Sequence, residues 1–526
     1  MCGLIVSSTS SFEVDSIHDG FEKITKRGPD SSSIEVVSDN MFMFKRLAIM
    51  GLSDKGMQPF KLNGNILVAN AEIYNYKDFA KELSDDYEFK SQSDCEILLP
   101  LYEQVGTKMF NLIDAEFVIV LYDSKSDSLV AARDQIGIRP LFYGYSKRTK
   151  DIIFSSEVKG IIELVDKVTP FPPGHYYKDG KFVKYSRLTD ITEYSKDSFD
   201  VMLKKINQKF TDAVIKRLDS DAPIGFLLSG GLDSSLVCAI ANEHLDKKLK
   251  TFSIGMDTDP IDLKYADVVA KYLDTDHTEV RINKDDVLGI LDEVIYSLET
   301  YDITTIRASV GMFLLSKYIK ENTDIKVLLT GEVSDELFGY KYTDFAPSEE
   351  AFQKESVKRI EELYMYDVLR ADRTLAANSL EARVPFGDID FASYVLRIDP
   401  KIKMNSYKMG KYILRKAFEG EYIPNEILYR DKAAFSDAVG HSLVDYLKEY
   451  AENKYTDNAF KEQVKKYKNP VPFTKESLMY RELFEKYYPN HSDLIIDYWM
   501  PNKTWKNCDV QDPSARVLAN YGKSGE

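Results

Sequence analysis

The chain has 526 residues, 69 of them basic and 85 acidic, for a formal net charge of −16. The acid excess excludes a general nucleic-acid or anionic-membrane binder while leaving room for a local basic pocket, and no apolar run approaches the roughly 18 residues of a membrane-spanning helix. Hydrophobic residues make up 44% and charged residues 29%, the balance of a globular protein long enough for about two to four domains. Four scattered cysteines (Cys2, Cys95, Cys238 and Cys508) form no CxxC pair, so neither a disulfide framework nor a zinc site is expected. Met1–Ser8 is only briefly apolar and has no basic flank. No signal peptide is expected, and the chain reads as cytoplasmic.

Residues 2–185 alternate short β-rich runs with turns: Gly3–Val6, Ile34–Val37, Met41–Phe44, Ile66–Ala69, Phe117–Tyr122, Leu129–Ala132 and Ile152–Ser155. Helices are expected around Asp15–Lys26 and Cys95–Val105, which makes an α+β pattern of packed layers. The polar stretch 186–198 reads as a linker. Beyond it, in residues 199–526, helix Phe199–Arg217 leads to strand Ile224–Leu228. Strand Thr251–Gly255, a helix near Leu263–Leu273, and strands His277–Ile282 and Lys326–Leu329 follow. Strands alternating with helices predict a parallel, doubly wound α/β sheet. From about residue 350 the pattern is mostly helical.

The strand Ile224–Leu228 stops at Ser229-Gly230-Gly231, and Asp233-Ser234-Ser235 opens a helix. A glycine turn between strand and helix lets backbone N–H groups and hydroxyls converge on a phosphate, and the helix dipole adds favourable potential. No lysine follows the glycines, so this is not the nucleoside-triphosphatase loop. It resembles the pyrophosphate-binding loop of synthetases that split ATP into AMP and pyrophosphate.

Cys2 follows Met1 directly. Removal of Met1 is expected and leaves a free α-amine on a thiol-bearing residue, where the amine can act as general base. Taken alone, such a cysteine is more often incidental. It is accompanied, however, by Arg27-Gly-Pro-Asp30, Arg46-Leu-Ala-Ile-Met50, Asn70-Ala-Glu-Ile-Tyr-Asn75, Ser93-Asp-Cys-Glu96, Ala132–Leu141 and Phe171-Pro-Pro-Gly174. This half resembles the class II glutamine amidotransferase domain, an N-terminal-nucleophile fold of layered antiparallel sheets. The resemblance implies that Cys2 attacks the glutamine amide, and that Asn70 and the N–H of Ala71 stabilise the oxyanion. It further implies that Arg46, with Leu47, Ala48, Ile49 and Met50, binds the glutamine α-carboxylate. Asp94 would pair with its α-ammonium, and Glu72 would complete the amino-acid pocket. Read singly, Arg46, Glu72 and Asp94 equally suit surface ion pairs. The family usually has glycine where Ala71 stands. Alanine keeps the N–H donor, and strain of order 1 kcal/mol arises only if φ is positive there.

Three clusters accompany the phosphate loop: Thr330-Gly-Glu-Val-Ser-Asp-Glu336 at the carboxyl end of a strand, Thr300–Ser309 ahead of a helix, and Arg430–Gly440 in the helical tail. With Leu380–Phe386 and Asp512-Pro-Ser-Ala-Arg516, they resemble asparagine synthetase of the glutamine-hydrolysing type over nearly the whole chain. The resemblance implies ATP, aspartate and glutamine as substrates, Mg²⁺ held by Asp233 and Asp335, and a β-aspartyl-AMP intermediate. Leu228, Ser229, Gly230, Gly231, Ser234, Ser235, Ile254, Thr330 and Gly331 would bind ATP. Arg307 and Lys432 would stabilise phosphate charge, and Glu332 would act toward attacking ammonia. A homodimer and internal transfer of ammonia are also implied. Asp233 and Asp335 suit helix N-capping too, and Leu228 and Ile254 suit the core.

Two glycines of the family motifs are Val333 and Ala438 in this chain. A β-branched residue is poor in left-handed backbone, so Val333 is expected in ordinary β or right-handed backbone, or in a shifted loop. The alternatives are a related amide-forming synthetase acting on another carboxylate, an enzyme dependent on ammonia only, and a catalytically inert binding protein.

Overall fold

A computed structural model describes residues 1–9, 14–258, 260–431, 435 and 439–522. Two compact units emerge. The first comprises Met1–Leu188 with Asp219–Pro223 and Leu375–Glu381, the second Thr189–Leu218, Ile224–Thr374 and Ala382–Glu526. The chain therefore crosses between them several times, and residues 186–198 form no helix or strand.

The first unit is built on two six-stranded sheets. In one, Gly3–Ser7 lies between Asn40–Arg46 and Ile152–Ser155, antiparallel to both. In the other, Asn65–Ile73 pairs with Ala115–Asp123. Side chains alternate across a strand, and here both faces are buried. Ile66, Val68, Val118 and Val120 pack with Leu4, Val6, Phe42 and Phe44 between the sheets. Leu67, Ala69, Phe117 and Ile119 pack on the other side against Leu98, Leu99 and Leu101, which belong to the helix Leu98–Val105. Every strand predicted in this unit forms; Ile152–Ser155 keeps its predicted bounds and the others are longer by one to five residues. The first predicted helix is Val14–Lys23, followed by a tight turn at Thr25–Arg27. A helix at Tyr76–Leu83 went unrecognised, because its polar residues mask the apolar stripe.

In the second unit the strand order is Asp276–Ile282, Lys250–Met256, Ile224–Leu227, Val327–Leu329 and Glu381–Arg383. The first four are parallel. From Ile224–Leu227 the chain proceeds outward to Lys250–Met256, whereas Val327–Leu329 lies on the opposite side. Loops leaving two such strands diverge and open a crevice at their carboxyl ends. Glu381–Arg383, inside the helical tail, is too short to show strand periodicity. The segment Thr300–Ser309 is not ahead of a helix but mostly within one: Asp302 caps Ile303–Asn322 by accepting the Thr305 N–H at 2.8 Å. Among the described residues, no helix is long and apolar enough to cross a membrane.

Candidate active sites

In the first unit, strand alternation places Asn70 and Glu72 on the face shared by Ile66 and Val68, the face toward Gly3–Ser7. Asn70 Oδ1 accepts the Cys2 backbone N–H at 2.9 Å. Asn70 Nδ2 is buried and has no hydrogen-bond partner, so a donor stands open one amide width from the Cys2 nitrogen. The Cys2 thiol donates to Leu47 O at 3.7 Å. Burial pushes the thiol's pKa up, against the pull of the nearby N-terminal ammonium. Arg27 Nε donates to Cys2 O at 3.0 Å and Nη1 to Glu157 at 3.0 Å, which fixes the chain just after the thiol. The Met1 ammonium lies 3.8 Å from Glu381, and burial pulls its pKa down to about 6.

Arg46 ends the strand Asn40–Arg46, and Leu47, Ala48, Ile49 and Met50 form the buried irregular segment after it. Ala48 N–H donates to Asp30 at 2.8 Å. The Arg46 guanidinium donates to Ser53 O at 2.7 Å and also to Gly51 O, so it braces the loop that follows. Asp94 accepts the Ile73 N–H at 2.9 Å. Glu72 and Asp94 are both buried. Ala71 lies inside the strand Asn65–Ile73, opposite Phe117, and is not among the residues of positive φ. Its Cβ is accommodated without strain.

The second unit's crevice is lined by Leu228, Ser229, Gly231, Asp233, Ser234, Ile254, Thr330, Gly331, Glu332 and Asp335, with Arg307 at its margin. Gly230 has φ +69, and a Cβ there would meet Tyr265 C at 2.3 Å, so only glycine fits. Gly331 presses on the other loop: its Cβ would stand 3.1 Å from Ser234 N. The Ser229 and Ser234 hydroxyls lie 3.1 Å apart. The hydroxyls of Ser235 and Thr330 and Glu332 Oε2 are buried with no hydrogen-bond partner. Thr330 and Glu332 line the crevice, and leaving such atoms unpaired there costs about 1–3 kcal/mol each, the signature of a site completed by a ligand.

Glu332 Oε1 lies 3.4 Å from Arg370 Nη2, which also meets Asp367 at 2.9 Å. Arg307 is paired with two carboxylates: Nε donates to Glu476 at 2.8 Å and Nη1 to Asp512 at 2.9 Å. These contacts lower the Asp512 pKa. Asp233 and Asp335 are brought together by a residue the sequence did not single out. Lys411 Nζ is 2.8 Å from Asp233 Oδ2 and 2.6 Å from Asp335 Oδ1. Arg430 was missed as well. It donates to Gly230 O at 3.1 Å, pairs with Asp262 at 3.1 Å and stacks 3.7 Å from the centre of the Tyr265 ring. Lys411 carries no motif spacing, because Asp233 and Asp335 lie far away in sequence; Arg370 has Asp367 three residues away but reaches Glu332 only through the fold. Arg430 stood inside a motif already quoted and was the one legible signal. Lys432 and Ala438 fall outside the described residues.

Val333 corrects an expectation. It stands at φ 80, ψ −18, left-handed, just before the short helix Ser334–Phe338, and is buried. The loop has kept a glycine-like conformation with valine in it, at a cost of about 1–2 kcal/mol. The packed surroundings and the ion pairs at Asp335 outweigh that cost.

Two family profiles match the chain: a glutamine amidotransferase domain over residues 1–174 and asparagine synthase over residues 205–350 and 340–518. A protein of Acanthamoeba polyphaga mimivirus named probable asparagine synthetase (glutamine-hydrolysing) is 41% identical over 556 residues, covering 98% of this chain and all of the relative. The Schizosaccharomyces pombe protein of the same name is 39% identical, covering 99% of each chain. The Homo sapiens asparagine synthetase (glutamine-hydrolysing) is 41% identical, covering 95% of each.

Proposed function

The chain belongs to the glutamine-hydrolysing asparagine synthetase family, and on that premise we propose that it makes asparagine, AMP, pyrophosphate and glutamate from aspartate, ATP, glutamine and water. Residues 2–185 are the glutaminase and 199–526 the synthetase, joined by 186–198. The observation that supports the reading most is the crevice of the parallel sheet. It gathers a glycine phosphate turn, two facing carboxylates and two buried polar atoms without a hydrogen-bond partner, Thr330 Oγ1 and Glu332 Oε2.

In the glutaminase, removal of Met1 frees the Cys2 amine to take the thiol proton. The thiolate then attacks the glutamine amide carbon. Asn70 Nδ2 and the Ala71 N–H hold the oxyanion of the tetrahedral adduct; the Cys2 ammonium returns its proton to the departing nitrogen, ammonia leaves, and water hydrolyses the resulting thioester to glutamate. Arg46, with the segment Leu47–Met50, takes the α-carboxylate, Asp94 pairs with the α-ammonium, and Glu72 completes the pocket.

In the synthetase, Ser229, Gly230, Gly231, Ser234 and Ser235 cradle the pyrophosphate end of ATP. Leu228, Ile254, Thr330 and Gly331 hold the nucleoside end. The aspartate β-carboxylate displaces pyrophosphate from the α-phosphorus. Ammonia then attacks the acyl carbon of the resulting mixed anhydride, Glu332 accepts a proton from it, and AMP leaves. Arg307 and Lys432 balance phosphate charge. Mg²⁺ fits the donor set: Asp233 and Asp335 offer hard carboxylate oxygens, and this ion takes one or two carboxylates together with substrate phosphates. Among the described residues no cluster of three or more metal-ligating side chains exists, which suits an ion that arrives with the nucleotide. When bound, it neutralises phosphate charge. We further assign the enzyme to the cytoplasm, as a homodimer, with ammonia passing internally and with neither nucleic acid nor membrane as a partner.

The test is formation of asparagine and pyrophosphate from aspartate, ATP and Mg²⁺, run once with glutamine and once with ammonium, for wild type and Cys2→Ala. Product from both nitrogen donors is expected, with only the glutamine-driven rate lost in Cys2→Ala. Pyrophosphate released with another carboxylate but not with aspartate overturns the substrate assignment. Product with ammonium alone restricts the enzyme to the ammonia-dependent reaction.

A further inference from the structure

The lysine between the two crevice carboxylates has a consequence for how the site takes a cation. Lys411 is 178 residues from Asp233 in sequence. Its ammonium lies 2.9 and 2.8 Å from the two Asp233 oxygens, 2.6 Å from Asp335 Oδ1 and 2.9 Å from Ser334 Oγ. An ammonium has three protons and no acceptor, so these three residues saturate it. The lysine side chain is 2% exposed. Burying such a charge is tolerable only when its partners are this well placed.

The backbone on both sides of the clamp is left-handed without glycine: φ is 57 at Lys411 and 80 at Val333. Each costs about 1–2 kcal/mol, so the ion pairs hold two strained segments together. A cation seated on the same two carboxylates meets the Lys411 ammonium at contact distance, and like charges that close repel strongly. The lysine and the metal exclude each other. Lys411 also lines the crevice, so once displaced its charge faces the space assigned to phosphates.

We propose that Lys411 is an internal counter-ion for Asp233 and Asp335, holding the two loops in shape and giving way when a divalent cation takes those carboxylates. The proposal rests on the reading of this pair as the cation site. Mn²⁺ alone is the probe, with affinity measured by electron paramagnetic resonance on the full chain without nucleotide, for wild type, Lys411→Gln and Asp335→Asn. Lys411→Gln is expected to bind Mn²⁺ at least about tenfold more tightly than wild type, a gain of roughly 1.4 kcal/mol. Asp335→Asn is expected to bind it at least about tenfold more weakly. In wild type, amine acetylation read by peptide mass spectrometry should show Lys411 protected without metal and several-fold more reactive at saturating Mn²⁺, a readout that needs no variant to fold. If Asp335→Asn weakens binding while Lys411→Gln does not tighten it and Lys411 stays protected, the counter-ion role is overturned and the cation site stands. If no protein binds Mn²⁺, or Asp335→Asn binds it like wild type, the cation-site reading falls and takes the proposal with it.

Discussion

The amidotransferase site and the nucleotide crevice handle the same kind of substitution in opposite ways. Each has a larger residue where related proteins are expected to carry glycine. Ala71 sits in a two-sided strand whose extended backbone any residue adopts, and its methyl packs against the helix-side core. Val333 sits in a loop between a strand and a five-residue helix, in a left-handed conformation that disfavours it. Ladder hydrogen bonds over eight residue pairs determine the conformation of the first. Ion pairs and packing impose that of the second. A site on a sheet interior is thus indifferent to the loss of glycine. A site on loops at a sheet edge keeps its shape only while its clamps hold.

Breaking the crevice should leave the other site working. Asp233→Asn is expected to lower pyrophosphate formation more than about 1,000-fold with either nitrogen donor, because it removes a proposed metal ligand and a partner of Lys411. Glutamate release from glutamine should continue, and a paired assay of the two products checks this. The converse is Asn70→Ala. Loss of one oxyanion donor costs about 100- to 1,000-fold, so glutaminase turnover should fall by that factor while the ammonium-driven rate stays within about twofold.

The clamps also differ in their response to acid. Arg307 and Lys448 hold the Asp512 carboxyl below its ordinary range. A carboxylate with a depressed folded pKa stabilises the fold above its unfolded pKa, near 3.8, and loses that contribution as pH falls through the folded value. Asp512→Asn should therefore cost about 2 kcal/mol at pH 7, and the gap to wild type should narrow only below about pH 4. Urea unfolding across pH 3–7 measures it.

The smallest effects, at Val333 and Ala71, sharpen the comparison most, with Val118 as their reference. Val118→Gly, in a fully buried strand position, should cost about 3–4 kcal/mol. Val333→Gly also loses a buried side chain, worth about 1.5–3 kcal/mol, but recovers about 1–2 kcal/mol of backbone strain. Its net change should stay within about 1 kcal/mol. Ala71→Gly relieves nothing and should cost about 0.5–1 kcal/mol. A loss at Val333 as large as at Val118 removes the case for strain.

Much of this molecule was legible in one dimension. Continuous apolar, β-branched-rich runs such as Ile66–Ala69 and Phe117–Tyr122 marked the strands of the first unit, since a strand buried on both faces carries apolar residues at successive positions. The run Ile224–Leu228 with Ser229-Gly-Gly231 after it located the strand, turn and helix of the crevice. Gly230 shows why: with φ positive and no room for a Cβ, the chemistry of that turn is a property of the residue itself. Cys2, Asn70, Asp233 and Glu332 were singled out as members of local motifs whose residue types suit the proposed chemistry.

What escaped was non-local or depended on backbone angle. Glu381–Arg383 is a strand only because Val327–Leu329 offers it an edge. The backbone angles at Ala71 and Val333 follow from their neighbours, so equal departures from glycine had unequal outcomes. Lys411 was invisible because its meaning comes from Asp233 and Asp335, which the fold delivers to it across long stretches of chain. The sequence by itself determined which elements form and which chemical groups are present. Only the tertiary structure decided which charges meet and which residues bear strain, because both depend on distances that arise when segments remote in sequence pack together.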